Sequence, residues 1–171
     1  MALGRIAVNT DTGKTIAAVG GIPVVLAAIA AQTTAHTRHA SIQGQGCRAL
    51  AYLTRNADNQ RAIAAAEGIP VLLAAMTACR DALVLEYSCT ALANLAANTN
   101  HIKVFAAVGG ICVVLAAMTA HGGHARVQKQ DCRALANLAA TVDIITAIVA
   151  EGGIPVVHHR AAIQRTREMH S

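Results

Sequence analysis

An all-α fold made of stacked repeats is what the sequence predicts, on three observations. The block GGIPVVLAAI at Gly20 returns as GIPVLLAAM at Gly68, GGICVVLAAM at Gly109 and GGIPVV at Gly152. A second block recurs in phase with it, as GCRALAYL at Gly46, SCTALANL at Ser88 and DCRALANL at Asp131. The chain of 171 residues holds 39 alanines but only 2% aromatics and no Trp. Alanine is the best helix former, so such a composition suits closely packed helices. The length fits one compact domain or a short array, and 54% apolar with 13% charged residues argues against intrinsic disorder.

The isoleucines of the first block, at 22, 69, 111 and 154, are spaced 47, 42 and 43 apart. The period is therefore about 42–43 residues, and the first unit is longer by roughly four residues between Leu26 and Cys47. A partial copy opens the chain: ALGRIAVN from Ala2 parallels ALANLAAN from Ala91, and NTDTGKTIAAVGG from Asn9 parallels NTNHIKVFAAVGG from Asn98.

Each unit reads as three helices. A short first helix, over 59–66 or 101–107, stops at a glycine that tolerates the left-handed conformation. The second helix starts at once, with Pro23, Pro70 and Pro155 near its first turn, where a missing N–H costs nothing; Cys112 fills that slot in the third unit. The third helix is the longest, for example over 126–140, and Val127, Cys132, Leu135 and Leu138 form its apolar stripe. Cys47, Cys89 and Cys132 each lie one turn before Leu50, Leu92 or Leu135, so all three thiols are expected to be packed as small hydrophobes. Cys79, near a loop, is expected to be the only exposed thiol. Five cysteines without CxxC pairs give no disulfide framework.

The Gly-Ile-Pro turn, a variable loop and then VQ-x-x-x-C-R-A-L-A-N-L-A, in phase at this period, resemble armadillo repeats over nearly the whole chain. HEAT repeats are the nearest rival, but they usually have two helices and lack the short first one. The resemblance implies a right-handed α-solenoid with the third helices lining a concave groove. It implies one repeat domain over 1–171: a partial repeat at 1–9, repeats at about 10–56, 57–98 and 99–140, and a partial repeat at 141–171. The polar 158–171 segment suits an end cap, whereas the apolar start suggests an excerpt of a longer array or end-to-end self-association.

The resemblance also implies a non-enzymatic protein-interaction scaffold, without cofactor or small-molecule substrate. In peptide-binding members an Asn of the third helix bonds the ligand backbone and a Trp one turn earlier packs on its side chains. The Asn slot holds Arg5, Tyr52, Asn94 and Asn137, and the Trp slot Arg48, Thr90 and Arg133. Without Trp, capture of basic side chains between indoles is not expected. Spacing by itself puts Gly44, Arg48, Tyr52 and Arg55 on one face, then Glu86, Thr90, Asn94 and Ala97, then Lys129, Arg133, Asn137 and Ala140. Arginine takes carboxylates or phosphates with paired bonds. The expected ligand is thus an extended acidic or phosphorylated segment held by Arg48, Tyr52, Thr90, Asn94, Lys129, Arg133 and Asn137.

Other classes find less support. A net charge of +5 is mild for this length and names no partner. Nucleic-acid binding usually needs stacking aromatics as well, and Tyr52 is the one expected in the groove. A structural spacer within a longer repeat protein is the remaining alternative. Thr12-Gly13-Lys14-Thr15 imitates the end of a phosphate loop, but Val8 stands where glycine is required. His36/His39 and His121/His124 form two HxxH pairs two units apart, short of the four converging ligands of a closed zinc site, and no metal is expected. No catalytic constellation recurs among the nine carboxylates. The N-terminus lacks a signal-type apolar run, and the longest apolar stretch, 16–31, is shorter than the ~20 residues of a membrane span. A cytoplasmic location, with the nucleus as alternative, is expected.

Overall fold

The computed structural model describes residues 10–34 and 39–139. These residues hold helices and turns only. They are α1 (Thr10–Ala18), α2 (Gly21–Thr34), α3 (Ala40–Leu53), α4 (Ala57–Ala65), α5 (Gly68–Ala78), α6 (Ala82–Leu95), α7 (Thr99–Ala107), α8 (Gly110–Ala120) and α9 (Ala125–Leu138). Three consecutive three-helix units result; the third helix is the longest in the second and third units, whereas in the first unit α2 and α3 both have 14 residues. The expected first and third helices are present, with ends shifted by one or two residues, as fraying termini commonly are.

Local chemistry explains the breaks. Asn56, Asp81 and Asn98 cap α4, α6 and α7: each side chain accepts from backbone N–H groups of the first turn. At the end of each first helix one residue turns left-handed: Gly20 (φ 78°), Glu67 (φ 58°) and Gly109 (φ 70°). The chain then bends by 81°, 76° and 78° into the second helix. The next residue must be glycine for another reason. A Cβ on Gly21 would meet the Ile16 carbonyl oxygen at 2.7 Å, and one on Gly68 or Gly110 would meet the same oxygen of Ile63 or Phe105 at 2.7 or 2.8 Å. In α5 the first backbone bond comes from Val71 N–H to the Glu67 carbonyl at 3.4 Å, so Pro70 forfeits none.

The core repeats with the units. Ile22, Ile69 and Ile111 are buried, as are Leu50, Leu92 and Leu135, Leu53, Leu95 and Leu138, and the trio Ile16, Ile63 and Phe105. Successive third helices lie side by side, α3 on α6 and α6 on α9, while α2 stacks on α5 and α5 on α8. Gly46 lets α3 approach α2, since a Cβ there would meet Ile29 at 2.6 Å. Thr12-Gly13-Lys14-Thr15 lies inside α1, not in a loop. No single described helix is long and apolar enough to cross a membrane; the three bent pairs reach that length and composition only together.

Two expectations about the thiols are corrected. Cys47 and Cys89 are fully buried, but Cys132 is exposed. Each buried thiol is covered by the following unit: Ser88 Oγ donates to Cys47 Sγ at 3.2 Å, and the buried Asp131 lies against Cys89. Cys132 sits on α9, the last described helix. The inner stripe of α9 is instead Val127, Asp131, Leu135 and Leu138. Cys79 is half-buried, and Cys112 joins Cys132 as an exposed thiol, because the third position of α8 faces outward. Arg5, His36, Pro155 and the partial repeats at 1–9 and 141–171 lie outside the described residues.

Candidate functional site

A cavity of about 500 Å³ opens between the three third helices. Its lining includes Tyr52, Arg55, Tyr87, Thr90, Asn94 and Arg133. Gln60, from α4, closes one side and donates through Nε2 to the Thr54 carbonyl at 2.8 Å. Two arginines line it and no carboxylate does.

Four of the seven expected groove residues meet here: Tyr52, Thr90, Asn94 and Arg133. Arg48 stands beside them, with its guanidinium carbon 5.7 Å from the Tyr52 ring centroid and 5.8 Å from that of Tyr87. Such placement over two rings fits cation–π attraction. The two rings lie 6.5 Å apart, tilted by 49°. Lys129 is exposed on α9 and, like Asn137, does not line the cavity.

Tyr87 is the residue that sequence reasoning missed, and the expectation of a single groove aromatic is corrected to two. At about 100° per residue, Tyr87 lies seven positions before Asn94 and therefore nearly in line with it. Stepping back by four twice reaches Glu86 instead, which drifts about 80° round the helix. Glu86 is engaged elsewhere: its Oε1 lies 3.4 Å from Nη1 of Arg126. Gly44 is corrected as well, because it is buried against Leu83 and Val84 of α6.

The groove asparagines are bonded to the neighbouring unit. Nδ2 of Asn94 donates to Thr54 Oγ1 at 3.1 Å and to the Ala51 carbonyl at 3.4 Å. Nδ2 of Asn137 donates to the Ala93 carbonyl at 2.8 Å. Ala51 and Ala93 sit in the last turn of α3 and α6, where carbonyls lack intrahelical partners. Asn137 thus satisfies the end of α6, while Asn94 adds a second donor to the Ala51 carbonyl, which also accepts from Thr54 Oγ1 at 3.0 Å. Arg133 reaches back as well, donating from Nη2 to Asn94 Oδ1 at 2.8 Å.

Burial pushes the Cys47 thiol up to about 11, and burial together with Asp131 pushes Cys89 well above the usual range. Both stay protonated at neutral pH and are poor nucleophiles. His39 and His124 are the N-cap residues of α3 and α9. The His121 and His124 rings lie 5.9 Å apart, and burial, His124 and Arg80 hold His121 below the ordinary histidine value. Among the described residues no three His, Cys, Asp or Glu side chains converge on a metal position.

Comparison with known proteins agrees with this architecture. Residues 56–97 match the model of the armadillo/beta-catenin-like repeat. An engineered protein solved by the Northeast Structural Genomics Consortium is similar at 30% identity and a TM-score of 0.78, over 90% of this chain and 60% of its own. A second engineered protein from the same consortium has 23% identity and a TM-score of 0.82, over 92% and 63%. A designed armadillo repeat protein in complex with the peptide (KR)4 has 16% identity and a TM-score of 0.79, over 92% and 64%. The chain thus spans less than two thirds of the length of these structures. No curated protein sequence matches it. The resemblance drawn from the sequence stands, and the fold is an all-α solenoid of armadillo type.

Proposed function

We propose that this armadillo-type solenoid is a non-enzymatic interaction scaffold that holds an extended acidic or phosphorylated peptide segment along its third helices. The observation that carries the reading is the cavity between α3, α6 and α9, lined by Arg55 and Arg133, walled by Tyr52 and Tyr87, and free of lining carboxylates. A carboxylate or phosphate side chain complements two guanidiniums with paired, charge-assisted bonds. The tyrosine faces offer apolar area to the ligand's neighbouring side chains. Arg48, held over both rings, adds positive charge at the rim. Lys129 extends that charge along α9.

The test is binding of acidic, phosphoserine-containing and basic ten-residue peptides to the wild type and to Arg55→Glu/Arg133→Glu. Binding of the acidic or phosphorylated set, lost in the variant while circular dichroism is unchanged, is the expected result. Tighter binding of single-stranded oligonucleotides, falling steeply with salt, would instead make the groove a nucleic-acid surface. Failure to bind either class would leave the solenoid as a spacer.

A further inference from the structure

We propose that Arg133 is a gate that makes backbone capture by Asn94 conditional on an anionic ligand group; this rests on the groove reading above. The two ends of the Asn94 side chain are committed differently. Its amide nitrogen is tied inward, to Thr54 and Ala51 of the preceding unit. Both N–H groups of that nitrogen are therefore committed to the preceding unit. Its oxygen is the group a ligand N–H could use, and that oxygen accepts from the Arg133 guanidinium at 2.8 Å. Arg133 and Asn94 line the same cavity. The guanidinium therefore takes one of the two lone pairs and crowds the approach to the other.

The exchange depends on charge. Arg133, itself exposed, bonds a neutral amide oxygen here in a partly buried contact. A carboxylate or phosphate ester in the cavity offers charge-assisted bonds roughly twice as strong, in a geometry that a guanidinium can meet with two donors. An anionic side chain draws Arg133 away and leaves the Asn94 oxygen to accept from the ligand backbone. A neutral peptide offers nothing comparable and must compete with the guanidinium for that oxygen. Specificity thus arises partly from an obstacle to the wrong ligand. Arg55, on the same cavity wall, attracts the anion without bonding Asn94, so it adds affinity and not gating.

Three labelled ten-residue probes test this with the full chain: alternating Glu–Ser, alternating Gln–Ser, and Gln–Ser with one phosphoserine. Arg133 is exposed, so Arg133→Ala is expected to keep the wild-type melting curve. In Arg133→Ala, binding of the anionic probes should fall about tenfold or more, while the neutral Gln–Ser probe should bind at least threefold tighter than to the wild type. Whichever anionic probe loses more identifies the side chain that the gate reads, carboxylate or phosphate. If the variant loses the anionic probes without gaining the neutral one, Arg133 is a simple charge contact and the gate is overturned, while the groove reading survives. If the wild type binds no anionic probe better than the neutral one, the groove reading fails and the gate falls with it.

Discussion

The side-chain amide of Asn137 donates to the carbonyl of Ala93 at 2.8 Å, joining the last turns of two neighbouring third helices. Asn94 does the same one unit earlier, towards Ala51 at 3.4 Å, with Thr54 as a second acceptor. These asparagines serve the stacking of the solenoid before any ligand arrives. Asn137→Ala is therefore expected to lower stability by about 1 kcal/mol, the net worth of a typical hydrogen bond. Asn94→Ala should cost more, roughly 1–3 kcal/mol, because it removes two buried bonds to the preceding unit and the acceptor of Arg133, although the Ala51 carbonyl keeps the Thr54 hydroxyl as donor. Chemical denaturation of the two variants checks the order; an Asn137→Ala curve that overlays the wild type would remove the structural role.

The junction between first and second helices makes a prediction of opposite sign at adjacent positions. Glu67 holds a left-handed conformation that Gly20 and Gly109 hold in the other units. An L-residue there is strained by about 1–2 kcal/mol, partly offset by its stiffer unfolded chain. Glu67→Gly should stabilise by roughly 0.5–1 kcal/mol. At the next residue, Gly68→Ala would press a methyl against the Ile63 side chain and its carbonyl oxygen. It should destabilise by roughly 1–3 kcal/mol. Paired melting curves decide the matter, and equal shifts in one direction would contradict the geometry.

The thiols divide into two groups with a pH signature. Cys112 and Cys132 should alkylate in the folded protein, whereas Cys47 and Cys89 should react only on unfolding. The folded Cys47 thiol titrates near 11, above its ordinary value of 9.0. A raised folded value means that stability is fully present below pH 9 and is lost as pH climbs towards 11. For this buried group the loss should reach roughly 2–3 kcal/mol, at about 1.4 kcal/mol per pH unit. Urea midpoints of the wild type and Cys47→Ala should therefore converge as pH rises. Parallel curves would mean that the thiol is not protected.

The legible part of the fold was the part written in the backbone's own punctuation. Gly-Ile-Pro at a fixed period marks the bend from first to second helix because few other residues can occupy it. The leucines at 50, 92 and 135 mark the packed side because helical spacing leaves them no alternative. The difference between Cys132 and the buried Cys47 and Cys89 was not legible, because the latter two are held by Ser88 and Asp131 of the next unit, contacts that their own helices do not encode. Tyr87 escaped because steps of four drift around a helix of 3.6 residues per turn. The four groove residues that do meet follow from periodicity, but the bond between Arg133 and Asn94 does not. That Arg133 reaches Asn94 depends on the offset between α6 and α9, which no single helix encodes.

The bonds that tie one unit to the next share a length. Ser88 to Cys47, Asn94 to Ala51, Arg133 to Asn94 and Asn137 to Ala93 span 41, 43, 39 and 44 residues. Each ties a residue to a position one to four places from its counterpart in the preceding unit. The array behaves in this respect like a ruler whose graduations check only the mark beside them. Inserting or deleting a whole unit would change the length of the groove and leave each remaining junction its same partners. A shift of a few residues within a unit would instead break every tie on that rung at once.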